Sequence, residues 1–270
     1  NVLKKRVIFT LLYDNASFML SRNFRLQKVG DLQWLKKNYN FSHISFSIDE
    51  LIILDVTRGE RNEKRFFEHV RSLTEECFVP IAAGGGIRTL DQARKLLHSG
   101  ADKVVLNTLV AENSDVITEI SKEFGRQSIV ISVDVRKIGD EYVVFTKNGT
   151  LQQDSLEEWL ERLDKVPAGE LYINSIDNDG TGHGYRMDII NHISKHINMP
   201  VIMSGGAGKY QHFIEGLNND GIDAVSTAHL FNFVGNGLEC ARVKLRESDF
   251  ILPKWDPKLA DLLKGSLVKL

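Results

Sequence analysis

Cysteine is scarce in this chain of 270 residues: Cys77 and Cys240 are the whole complement, far apart in sequence. That count excludes a disulfide framework and fits a reducing compartment. An excess of one charge is lacking too. The 34 Lys and Arg against 36 Asp and Glu leave a formal net charge of −2. Such a balance offers no basic face to nucleic acid. No stretch approaches the roughly 18 apolar residues of a membrane span, and no signal peptide is readable. The expectation is a cytoplasmic protein with neither nucleic acid nor membrane as a partner.

What the sequence does have is alternation. Hydrophobic content of 42% and charged content of 26% are globular averages, ample for a sizeable core. Short β-branched runs at Arg6–Leu12, Glu50–Asp55, Pro80–Ala83, Lys103–Leu106, Ile129–Asp134, Glu170–Ser175, Pro200–Met203 and Ala224–Thr227 predict strands. Helical spacing lies between most of them, at Glu63–Leu73, Leu90–His98, Asp115–Glu123, Ser155–Leu163, Asp188–His196 and Tyr210–Leu217. Eight near-continuous hydrophobic strands separated by helices imply a parallel sheet covered on its outside. The predicted fold class is α/β, a single (βα)8 TIM barrel over residues 1–270; a doubly wound open sheet is the alternative.

The sequence also repeats itself. VPIAAGGG, from Val79 to Gly86, overlays MPVIMSGG, from Met199 to Gly206, at an offset of 120. Glu50-Leu51 falls on Glu170-Leu171 at the same offset, and Gly100-Ala101-Asp102 on Gly221-Ile222-Asp223 at 121. The first strand overlays the fifth at about 122. Two half-barrels, about 4–124 and 125–248, are therefore expected, with a C-terminal extension over 249–270. Asp140–Thr150 reads as an extra hairpin after strand five, turning at Asn148-Gly149.

Several constellations carry chemistry. Gly84-Gly85-Gly86 and Gly205-Gly206 follow strands three and seven directly. Glycine there lets backbone N–H groups approach an anion, and a following helix N-terminus adds its dipole. Two such turns across one barrel mouth suit a substrate phosphorylated at both ends. Asp134 ends strand five, Asn107 and Thr108 follow strand four, and Asp179-Gly180-Thr181 follow strand six. A carboxylate at the end of a hydrophobic strand is costly unless paired or used. Arg6, Glu50, Lys103 and Glu170 start strands one, two, four and six, so two bases and two acids should ring the bottom of the core. Such a ring is either a structural ion network or the gate of an axial passage. His192 and His196 have a metal-ligand spacing but no third ligand nearby, so a solvated helix face is expected and no metal. Cys77, Trp34 and Trp159 read as packing residues.

Taken in order, KKRVI, DELIILDV, GGGI, GADKVVLNT, SVDV, GELYINSIDNDGTGHGY and SGGAG resemble the HisF family, the cyclase subunits of imidazole glycerol phosphate synthase. The resemblance covers about Lys4 to Phe233. It implies a synthase that uses ammonia made by a separate glutaminase subunit, HisH, and carried through the barrel from bottom to top. It implies that Arg6, Glu50, Lys103 and Glu170 form the ammonia gate and that Asp102 lies at the glutaminase interface. It places phosphate sites at Gly86, Asn107 and Thr108 in one half, and at Asp179, Gly180, Gly206 and Ala228 in the other. His229 stands where the family usually has serine.

The family's cyclase uses two aspartates as general acid and base, and Asp134 matches one of them. The other position holds Leu12, which the internal repeat also lays over Asp134. Leucine cannot transfer a proton, so ordinary ring closure should lose a factor on the order of 10²–10⁴. Asp14 lies two residues on, and the family's loop-one lysine corresponds to Leu20. These departures resemble the AglZ/HisF2/WbuZ-type paralogues associated with amidino modification of surface sugars. That branch implies a HisH-like glutaminase and a further amidotransferase as partners, a phosphorylated small-molecule substrate and no cofactor. Ordinary histidine-pathway cyclase and a non-cyclising ammonia conduit are the alternatives.

Overall fold

The computed structural model describes residues 4–39, 44, 47–193, 195–230, 233 and 236–253. Its strands are β1 (Arg6–Asp14), β2 (Ser17–Arg22), β3 (Arg25–Asp31), β4 (Glu50–Asp55), β5 (Ile81–Gly84) and β6 (Lys103–Leu106) in the first part of the chain. They continue with β7 (Ile129–Ile138), β8 (Glu141–Thr146), β9 (Leu151–Ser155), β10 (Glu170–Ser175), β11 (Val201–Ser204) and β12 (Ala224–Thr227). β10, β11, β12, β1, β4, β5, β6 and β7 are neighbours in that order, and β10 pairs back onto β7. The sheet is thus closed, and the fold is a single (βα)8 barrel.

Several helices start where side chains satisfy their first free N–H groups. Asn62 accepts from Arg65 N–H at 3.0 Å ahead of the helix Glu63–Thr74. Thr89 and Gln92 form a reciprocal capping box ahead of Leu90–His98. Ser155, expected inside a helix, is the cap of Leu156–Leu163. The helix expected over Asp188–His196 is regular only over Ile189–Ile193 among the described residues. His192 there pairs with Glu157 at 3.5 Å rather than with His196.

Barrel strands begin with a second device. Asp49, Asp102 and Asp223 each stand just before a strand and accept a backbone N–H at the start of its neighbour. They take Val7, Ile81 and Val201 respectively, each at 2.8 Å. Asp49 is also gripped by Arg242 from the helix Gly237–Glu247, through contacts of 2.7 and 3.0 Å. Both side chains are almost wholly buried, and Arg242 donates in addition to the Pro253 carbonyl.

Two antiparallel meanders extend this frame. The expected turn at Asn148-Gly149 joins β8 to β9, but β7 also runs on to Ile138 and pairs with β8. The sequence reading missed the counterpart, in which β1 runs on to Asp14 and folds back through β2 and β3. Its two turns place Asn15-Ala16 and Asn23-Phe24 at positive φ. Hairpins of this kind usually carry Asn-Gly. Trp159 is a fully buried anchor, while Trp34 is half-buried and packs over Gly30. Within the expected extension 249–270, residues 254–270 lie outside those described.

The Arg242–Asp49 pair gives a test of the frame. Arg242→Ala leaves a buried carboxylate uncompensated and should cost about 3–5 kcal/mol, read as a lowered urea midpoint.

Candidate functional site

Strand alternation turns every second residue into the barrel. Inward positions climb as Arg6, Ile8, Thr10 and Leu12 on β1, and as Glu170, Tyr172 and Asn174 on β10. The lowest layer is ionic. Arg6 meets Glu50 at 3.0 Å and Glu170 at 2.5 Å; Lys103 meets Glu170 at 2.5 Å and Glu50 at 3.4 Å. The four residues close a ring of alternating charge. Burial pushes the Glu50 carboxyl up. Burial also works on Glu170, but Arg6 and Lys103 outweigh it and hold that carboxyl below its usual range.

Above the ring, Ile8, Ile52, Ala82, Val105, Val130, Tyr172, Ile202 and Ala224 pack into an apolar layer. The Tyr172 hydroxyl rises from it to Ser204 at 2.7 Å and Thr10 at 3.1 Å, and Thr10 meets Ser226 at 2.7 Å. Over these hydroxyls opens a cavity of about 480 Å³ at the C-terminal ends of the strands. Its lining includes Gly85, Gly86, Asn107, Thr108, Asp134, Asp179, Gly180, Gly205, Gly206, Ala228 and His229. Thr181 is not in that lining; its hydroxyl turns back to the Asn178 carbonyl at 2.8 Å.

The two glycine turns share a backbone geometry. Gly85 and Gly86 have φ of +112° and +72°, Gly205 and Gly206 of +92° and +112°. A Cβ on Gly85 would overlap the Asp55 carbonyl oxygen, and one on Gly206 that of Gly184. Only glycine fits.

Asp134 is buried at the cavity wall. Asn107 donates to it at 2.9 Å and to Ser132 at 3.0 Å, so this amide serves the carboxylate. Burial pushes Asp134 up to about 7, against hydrogen bonds from Asn107 and Asn174 and with some help from Asp179. Leu12 and Leu20 both line the cavity, whereas Asp14 is absent from its lining and pairs with Ser17 in the meander. Asp179 lines the cavity and also holds the meander. It accepts from Ser21 Oγ at 2.5 Å and from Phe24 N–H at 3.0 Å. Burial lowers the affinity of His229 for a proton. Asp102, at the opposite end, is exposed, with one carboxylate oxygen on Ile81 N–H.

The sequence reading missed Arg58, Arg61, Arg88, Tyr172 and Asn174, all of which line the cavity. A signal existed for two of them: counting by two from Glu170 reaches Tyr172 and Asn174. Among the described residues, no group of three or more His, Cys, Asp or Glu side chains could hold a metal, and no helix is long and apolar enough to cross a membrane.

A closed barrel with glycine turns at its mouth and a charged ring at its base places the chain among the (βα)8 barrels, and comparison supplies the family. The histidine biosynthesis protein family matches residues 34–235, and this chain belongs to it, within its HisF branch. A relative from Parasynechococcus marenigrum (strain WH8102), with the provisional name imidazole glycerol phosphate synthase subunit hisF2, is 44% identical over 254 residues, 93% of this chain and 94% of its own. The imidazole glycerol phosphate synthase subunit HisF of Sulfurisphaera tokodaii is 37% identical over 84% of this chain and 90% of its own. That of Streptomyces coelicolor is 37% identical over 90% and 96%.

The Asp134 environment has a pH consequence. Its folded pKa of about 7 exceeds the ordinary 3.8, so the folded protein binds the extra proton between those values. Stability should therefore fall as pH rises from about 4 to about 7. Asp134→Asn should flatten that fall, so the variant gains on wild type at about pH 8 and not at about pH 4. Urea titrations at the two pH values read it.

Proposed function

We propose that this chain is the synthase subunit of a glutamine-dependent amidotransferase system that does not run the ordinary ring closure of its histidine-pathway relatives. A HisH-like glutaminase docks at the bottom, over a face that includes Asp102, and releases ammonia past Arg6, Glu50, Lys103 and Glu170. A phosphorylated substrate sits in the mouth. Its phosphates lie at Gly85, Gly86 and Thr108 on one side and at Gly180, Gly205, Gly206, Ala228 and His229 on the other. Asp134 is the proton-transfer group, and Asn107 orients it. The product feeds amidino modification of a surface sugar, with a further amidotransferase completing the transfer.

One observation carries this proposal. Leu12 lines the mouth on β1 at the position the internal repeat pairs with Asp134, so the second carboxylate of a two-aspartate site is missing. The enclosure of Asp134, which raises its pKa toward neutrality, supports a proton-transfer role. The extensive identity to HisF subunits supports the second reading, a working histidine-pathway cyclase.

Ammonium-dependent turnover of the phosphorylated ribulose substrate of that cyclase separates the two. Wild type is expected to run slower than a HisF control by a factor on the order of 10²–10⁴. Leu12→Asp should recover measurable turnover, and Asp134→Asn added to it should remove the gain. Robust turnover by wild type would overturn the proposal in favour of the cyclase. Co-elution of the chain with its HisH-like glutaminase at micromolar concentration tests the docking separately.

A further inference from the structure

The cations around the mouth are not shared between its two glycine turns. Arg58, Arg61, Arg88 and Lys147 line it, carried on the loops after β4, β5 and β8. The lining contributed by β10, β11, β12 and the loops after them includes Asp179 and His229 but no Lys or Arg among the described residues. The turn at Gly86 is flanked by guanidinium groups; the turn at Gly206 has backbone donors and, among the described lining residues on its side, no guanidinium or ammonium.

Two of the arginines are already engaged. Arg58 donates to the Phe24 carbonyl, and Arg88 pairs with Glu112 at 2.7 Å. Arg61 is different. Its side chain is largely buried, and its Nε is buried with no acceptor. Among the described residues, its salt-bridge partner is Asp55 at 4.0 Å, and its hydrogen bond is a long 3.5 Å contact to the Asp55 carbonyl. Asp55 itself is held by the Thr57 N–H at 3.1 Å, and burial raises its pKa. A guanidinium has five donors in a fixed fork, and leaving them unmet in a half-desolvated place is costly. The Arg61 group lies over Gly86, where a Cβ would overlap its Nη1. An anion taking the Gly86 N–H would meet Arg61 as well.

We propose that Arg61 is a ligand-positioning residue that makes the Gly86 turn the strong, charge-assisted anion cradle of the mouth, leaving the Gly206 turn a weaker, neutral one. This rests on the phosphate-binding part of the proposed function and gives it a polarity. The substrate's most highly charged phosphate end lies at Gly86, and its other end is held without a guanidinium. Guanidinium–phosphate contacts are bidentate and strong, so one residue suffices to set the orientation.

The test is a titration of the full chain with inorganic phosphate, followed by the amide NMR signals of Gly86 and Gly206. In wild type both signals should move, that of Gly86 at the lower phosphate concentration. Arg61→Gln should weaken the Gly86 response at least about tenfold and leave the Gly206 response in place, which also shows that the variant is folded. Arg61→Lys, which keeps the charge but not the fork, should fall between. An unchanged Gly86 response in Arg61→Gln would overturn the role of Arg61 while sparing phosphate binding. Silence of both signals in wild type would overturn phosphate binding and the role of Arg61 together.

Discussion

Pairing of β10 back onto β7 closes the sheet, and closure is the constraint from which the site follows. A closed barrel has one inside, so strand alternation sorts every second side chain into a column of fixed depth. Charge can sit in that column only in matched sets, because desolvation penalises a lone ion. At the base the match is internal, two acids against two bases. At the mouth it is incomplete: Asp134 has amides but no cation, and Arg61 has a carboxylate only at 4.0 Å. An imbalance of that kind is where a ligand can act.

The parts legible in the sequence are those that obey a period. Hydrophobic runs locate the barrel strands to within a residue or two at most ends, and the repeat at an offset of 120 finds both glycine turns before any geometry is known. Less legible was whatever depended on a turn without its usual residue. Ala16 and Phe24 occupy positive-φ positions, so the turns joining β1 to β2 and β2 to β3 left no Asn-Gly mark. Partner choice was also hidden. Asp179 and Asn107 line the cavity as expected, and their side chains also engage the hairpin and Asp134, contacts that no sequence period announces. Sequence position sets which end of the barrel a side chain occupies; its partner depends on chains that arrive from elsewhere in the fold.

Leu12 shows the opposite case, in which a single letter outweighs a great deal of structure. The barrel, the turns and the ring are common to many chemistries, since a fold does not by itself define a reaction. In the proposed reading, one side chain on β1 separates a mouth with two proton-transfer groups from a mouth with one. Leu20 and Leu54 line the same cavity, so the neighbourhood of Leu12 is apolar in its own right.

The two meanders have a consequence for how the halves of the chain depend on each other. Asn23, at the tip of the first, donates to the carbonyls of Ile176 and Asp177 after β10, at 3.2 and 3.0 Å. Asn148, at the tip of the second, donates to the carbonyl of Val56 after β4 at 3.1 Å. Each half thus reaches over the rim and grips the other, a reciprocal clasp like two hands holding wrists. A lone half would carry a hand with nothing to hold. The clasp therefore ties the two sides of the rim to each other.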